Sequence, residues 1–215
     1  MKKAIKLVIV CIVGIFAFAC GGGGGGGDSD DASWEYVYEH NAKYYSGYTW
    51  RWTVSTVRVA ANGVDPGTVS SAFNRWSSSS GLGFAVGSGT SGNIVVSYGN
   101  LPAGVCGMCQ PYVSSGRIVR GVMTLRRNPE ANCGYDLRRL ITHEAAHCLG
   151  FLGHDGGSGI MTPNVNSDEI TGQNHGFFAK LYSKPPLTYV PALYKEKQYS
   201  KKPAPPKGTR VFTEY

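Results

Sequence analysis

A chain of 215 residues, 42% hydrophobic and 16% charged, is long enough to bury one sizeable core. The formal charge of +7 suggests a nucleic-acid binder until it is divided along the chain. Residues 1–27 carry three lysines and no acid, and residues 184–215 carry seven Lys/Arg against two Glu. Residues 28–183 are near neutral, with eleven basic and twelve acidic side chains. The central region therefore makes no case for nucleic acid.

The chain begins with a short basic region, Met1 to Lys6, and an apolar run, Leu7 to Ala19, that stops at Cys20. The run is too short to span a bilayer comfortably and has the layout of a secretory signal. Ala17-Phe18-Ala19-Cys20 resembles a bacterial lipobox, with Ala where Leu is preferred. Cys20 is then the lipidated first residue of the mature chain. The glycine tract Gly21–Gly27 cannot pack a core and reads as a tether. Gly21 in place of aspartate directs the expectation to the outer membrane or cell surface. Residues 21–47, acidic and then tyrosine-rich after the glycines, are expected to be a linker or short pro-segment.

From Tyr48 the pattern sharpens into a domain expected to span 48–183. Trp50, Trp52 and Val54 alternate with Arg51, Thr53 and Ser55, and Val57-Arg58-Val59 continues the strand period. Asp65-Pro66 caps a helix whose apolar stripe is Val69, Phe73 and Trp76, ended by Ser77–Ser80 and Gly81. Short strands are expected at Gly83–Val86 and Asn93–Ser97, and a loop at Gly99–Gly104. An edge strand is expected at Val105–Val113 and a further strand at Arg117–Leu125. A helix from about Asp136 to Leu149 carries Leu137, Leu140, Ile141, Ala145 and Leu149 on its apolar side. Ser167-Asp168-Glu169 is expected to cap a last helix running to about Tyr182, before Pro185-Pro186. Residues 184–215 read as a solvated, Pro/Lys-rich basic tail.

The chemistry is concentrated in His143-Glu144-Ala145-Ala146-His147-Cys148-Leu149-Gly150-Phe151-Leu152-Gly153-His154-Asp155. On a helix, residues four apart share one face, so His143 and His147 can offer two imidazole nitrogens to one ion. Glu144 is one step round, near the metal but poorly aimed to ligate it, where a base acting on metal-bound water belongs. Gly150 can adopt the left-handed conformation that ends the helix and turns the chain back. His154 then arrives as a third ligand, and the fourth position stays open for water. Chance occurrence explains an isolated HExxH; it does not explain the added glycine, third histidine and following methionine.

These residues resemble the metzincin zinc peptidases, whose signature is HExxHxxGxxH followed by a methionine turn. Ser158-Gly159-Ile160-Met161-Thr162-Pro163 looks like that turn, with Met161 as its methionine. The third histidine departs from the pattern: Gly153 occupies its strict position and His154 follows one residue later. A glycine absorbs such an added residue easily. Asp155 is similar to the adamalysin pattern, whereas matrixins carry serine there. Pro163 stands where astacins and serralysins have their tyrosine ligand, so no such ligand is expected. No cysteine-switch segment precedes the domain. The order of elements is similar to a matrixin-like catalytic domain.

Four cysteines remain besides Cys20 in the mature chain: Cys106, Cys109, Cys133 and Cys148. In an exported chain they imply two disulfides with three possible connectivities. A Cys133–Cys148 bond is disfavoured, because the intervening helix is roughly 20 Å long at ~1.5 Å per residue. Bonds from the 106/109 segment to Cys133 and Cys148 are preferred. The lone Cys106-Gly107-Met108-Cys109 motif is weak evidence for a redox or metal site.

The expectation is an α+β, metzincin-like zincin domain with a twisted mixed sheet, active-site helix, methionine turn and C-terminal helix. The resemblance implies one catalytic Zn²⁺ on His143, His147 and His154, with Glu144 as general base, in an extracytoplasmic endopeptidase. Structural Ca²⁺ is not indicated. Expected partners are a protein or peptide substrate lying along the exposed edge strand, and a membrane through the lipid on Cys20; the protein is expected to be a monomer. The alternative is a surface lipoprotein that keeps the zinc fold as a non-catalytic binding module, against which the intact Glu144 argues.

Overall fold

The structure, a computed structural model, describes residues 32–165, 167–191 and 203–213. The expected signal segment, Cys20, the glycine tract and Asn166 lie outside the described residues. Among the described residues no helix is long and apolar enough to cross a membrane.

The fold is α+β. Its strands are β1 Thr56–Asn62, β2 Gly83–Ser88, β3 Ile94–Tyr98, β4 Gly107–Ser114, β5 Arg117–Leu125 and β6 Thr209–Val211. They form one mixed sheet in the order β2-β1-β3-β5-β4-β6. β2, β1, β3 and β5 are parallel neighbours, whereas β4 and β6 run antiparallel to their partners. The β4–β5 hairpin turns on Ser115 and Gly116, at φ 49° and 71°. Two successive positive φ values give the type I′ geometry that suits the twist of paired strands.

The helices are α1 Trp34–His40, α2 Pro66–Asn74, α3 Ser77–Ser80, α4 Pro129–Cys133, α5 Leu137–Leu149 and α6 Gly172–Tyr182. The Asp65 carboxylate accepts the Thr68 N–H at 2.7 Å to start α2, and Val69, Phe73 and Trp76 are all fully buried. Asp136 accepts the Arg139 N–H at 3.0 Å to start α5, and Gly150 at φ 113° ends it. α5 is buried at every residue from Leu140 to Leu149, packed against β4, β5 and α2. Its last carbonyls, which have no partner within the helix, are taken by side chains from afar. Trp52 Nε1 donates to Cys148 O at 3.0 Å, Tyr182 Oη to Leu149 O at 3.0 Å, and Asn41 Nδ2 to Gly150 O at 2.8 Å.

Several expectations are corrected. Residues 34–45, read as part of a linker or short pro-segment, form α1 and a 3₁₀ turn, and bury Val37, Ala42 and Tyr45 completely. The first strand starts only at Thr56; Trp50 and Trp52 are buried as their alternation predicts, but their segment makes isolated bridges, Tyr48 to Tyr189 and Arg51 to Arg117, instead of a ladder, and the Trp52 indole reaches the end of α5. Helix α6 begins at Gly172 under a Thr171 cap, not at Ser167–Glu169. That triplet is recruited elsewhere: Glu169 O accepts the Ile160 N–H at 2.7 Å, and Asp168 pairs with Arg75 and with Arg138 at 2.5 and 2.8 Å. The tail is not simply solvated. β6 adds to the outer edge of β4 at Tyr112–Ser114, and Phe212 stacks on Trp50 with ring centroids 4.9 Å apart. Among the described residues, β4 is therefore unpaired on its outer edge only over its first residues.

Candidate active site

Two elements deliver the candidate metal ligands: α5 and the turn that follows it. His143 and His147 project from the same face of α5, one turn apart. After Gly150 the chain reverses: Phe151 N–H returns to Ala146 O at 3.0 Å, and Leu152 N–H reaches back to His40 O at 2.7 Å. His40 Nδ1 in turn bonds Leu152 O at 2.9 Å, and its ring stacks on Phe151 at 4.3 Å. Gly153 lies at φ 78°, the left-handed conformation that lets the chain turn just before His154. It presses on Tyr44 and His40, where a Cβ would come within 3.2 Å of Tyr44 Oη. His154 then points back at the helix.

The result is a cluster of imidazoles. His147 Nε2 is 3.0 Å from His143 Nε2, which is 3.2 Å from His154 Nε2, and the three potential ligand atoms lie within 4.8 Å of one another. The opposite nitrogens of the two helix residues are held by backbone: His143 Nδ1 by Ile160 O and His147 Nδ1 by Phe151 O, each at 2.7 Å. A carbonyl only accepts, so each Nδ1 carries the proton and each facing Nε2 presents a lone pair. Acceptors facing acceptors at this range repel unless a cation lies among them. The donor set thus fits a metal ion. Burial keeps the rings neutral, holding His143 down to about 4, with the neighbouring His154 adding to the effect. His147 and His154 are shifted down as well, burial again being the main cause. His175 and His40 are not part of the cluster: His175 lies on α6 near Trp76, and His40 supports the turn from behind.

Glu144 sits beside the cluster, 4% exposed, against the first residue of β4. Met161 is fully buried, and its turn supports the site through two backbone atoms. Ile160 O holds His143, and Met161 O accepts the Asp155 N–H at 2.8 Å. Asp155 ties the region together: its carboxylate accepts Tyr36 Oη–H and Asn174 Nδ2–H, the latter at 2.7 Å, and lies 3.8 Å from His40 Nε2. Burial and the Asp155 hydrogen bond push the Tyr36 phenol up, so it remains a donor. Beside His154 opens a cavity of about 430 Å³ lined by Tyr36, His40, Asp155, Ser158 and Thr171 among others; Glu144 is not in its wall.

The four cysteines form Cys106–Cys133 and Cys109–Cys148. The first ties the start of β4 to the end of α4, the second ties β4 to α5, which carries two of the three clustered histidines. Cys20, the expected lipidation site, is outside the described residues. Sequence reasoning missed Asn41, His40 and Tyr36, because their segment carries no chemical motif. It also missed Gly107, whose only local signal is its place between two cysteines at a strand start. No protein-family model and no curated protein matches this chain.

Proposed function

We propose that the protein is a zinc-dependent endopeptidase of the matrixin-like metzincin kind, acting on proteins outside the cytoplasm. The observation that carries this reading is the convergence of three imidazole Nε2 atoms beside a buried carboxylate that adjoins an edge strand. Zinc bound there supplies a Lewis acid for the scissile carbonyl and lowers the pKa of water towards neutrality. His143, His147 and His154 are the protein ligands. Glu144 takes the proton from the attacking water and delivers a proton to the departing amine. Its burial excludes competing solvent and strengthens its interaction with nearby charge.

The substrate is read as an extended peptide lying antiparallel along the open part of β4. Pro111 O accepts the Phe212 N–H on the outer edge, at 3.2 Å. Strand period two turns the peptide groups of Gly107 and Cys109 to that same edge, since Met108 and Gln110 face β5. Pro111 has no N–H to offer, and β6 covers Tyr112–Ser114, so among the described residues the end of β4 nearest Glu144 is the part left for a substrate. The lipobox-like Ala17–Cys20 segment supports an exported, lipid-anchored enzyme, in keeping with the two disulfides. Replacing Cys20 with Ser should release the protein from membranes or block its processing; a wild-type mature chain found soluble without Cys20 would sink the anchor.

The test is incubation of the purified protein with a denatured protein substrate, with and without chelator, beside Glu144→Ala. Cleavage should require zinc, and the variant should keep its metal yet lose several orders of magnitude in turnover. An inert wild-type protein that still binds zinc would favour the non-catalytic binding module.

A further inference from the structure

Gly107 opens β4, and a Cβ built on it would lie 2.7 Å from Glu144 Cγ and 2.8 Å from Glu144 Cδ. Non-bonded carbons pack at about 3.5–4.0 Å. Gly107 is absent from the residues at positive φ, so its backbone conformation would accept any side chain. Space alone demands glycine here, and the occupant of that space is Glu144.

Neither backbone can retreat easily. Cys106, one residue before Gly107, is bonded to Cys133, and Cys109, two residues after, is bonded to Cys148 on α5. The two disulfides straddle Gly107 and clamp the strand on the helix. Glu144 stands in the buried middle of α5, and the histidines flanking it on the metal face are fixed by Ile160 O and Phe151 O. A side chain at position 107 must therefore displace the carboxylate.

We propose that Gly107 is a positioning residue for Glu144: its bare backbone, clamped by the two disulfides, is the wall that holds the carboxylate in register with the three histidines. The demand for glycine comes from Glu144 and not from the sheet. The proposal rests on the peptidase reading only in naming Glu144 the general base; the packing claim stands apart from activity.

The test is a cycle of four zinc-loaded proteins: wild type, Gly107→Ala, Glu144→Ala and the double variant. Melting temperature, zinc stoichiometry and, on a peptide substrate, kcat and KM are measured for each. In the wild-type background Gly107→Ala should lower the melting temperature by about 5 °C, as overpacking does. It should lower kcat about 100-fold, the effect of misplacing a reacting group by ~1 Å, while KM changes less than about threefold. Zinc content should stay at that of the wild type. In the Glu144→Ala background the same substitution should leave the melting temperature unchanged, because the clash has been removed. Equal thermal losses in both backgrounds would overturn the proposal, since the glycine would then serve the fold. So would a kcat equal to that of the wild type. If Gly107→Ala fails to fold, the double variant must fold; failure of both overturns the proposal too. A wild-type protein inert towards every peptide sinks the peptidase reading, whereas the melting cycle still decides the contact.

Discussion

Replacing Asn41 with Ala tests the claim that distant side chains hold the third ligand in place. Asn41 is fully buried; its Nδ2 donates to Trp50 O at 2.9 Å and to Gly150 O at 2.8 Å, and its Oδ1 accepts the Trp50 N–H at 3.0 Å. Alanine leaves one backbone donor and two backbone carbonyls without these partners in a dry interior. A buried group stripped of its partner costs about 1–3 kcal/mol, and carbonyls that keep some residual contact fall at the low end. The sum is about 4 kcal/mol, or roughly 10 °C in melting temperature for a domain of this size. The assay is urea or thermal unfolding with the disulfides intact, followed by zinc release to a chelator in native buffer. Zinc should leave faster, because Gly150 begins the turn that presents His154. A loss below about 1 kcal/mol would refute the accounting of buried polar groups. A large loss with unchanged zinc release would refute the link between this residue and the site.

Other expectations follow from the same geometry. His154→Ala should weaken zinc retention strongly while His175→Ala leaves it unchanged, measured by equilibrium competition with a chelator; equal effects would break the assignment. Removing the Cys109–Cys148 bond, whose sequence separation is 39, should cost on the order of 4 kcal/mol in the chain-entropy model. It should also speed zinc loss, since α5 carries two ligands; a stability loss without any change in metal release would separate the clamp from the site. In the metal-free protein His143 stays neutral down to about 4 while the unfolded imidazole protonates near its ordinary value. Unfolding then takes up a proton, so this contribution is fully present above about pH 6.5 and is lost as pH falls towards 4, at about 1.4 kcal/mol per pH unit. Denaturant midpoints of chelated protein that stay flat across that window would show the ring is not buried neutral.

Much of the metal site is written locally. The four-residue spacing of His143 and His147, Glu144 between them and Gly150 at the helix end need only helix geometry, and Gly153 supplies the positive φ that turns the chain before His154. Arg117–Leu125 and the Asp65-capped helix were equally legible, because period two and a capping carboxylate act between near neighbours. Tertiary structure decided the rest. Val37, Ala42 and Asn41 sit in a polar, tyrosine-rich stretch with no clear period, yet all three are buried, and Asn41 hydrogen-bonds Trp50 and Gly150 behind the turn that presents His154. Ser167–Glu169 has the composition of a helix start, but its carbonyl and carboxylate hold the methionine turn and two arginines instead. Phe212 finds Trp50 across more than 160 residues, and Cys109 finds Cys148 across 39. The contact of Gly107 with Glu144 belongs to this second kind. Propensity, capping and periodicity are short-range and can be read along the chain; which buried surfaces meet depends on how all the elements pack at once, and no local pattern encodes it.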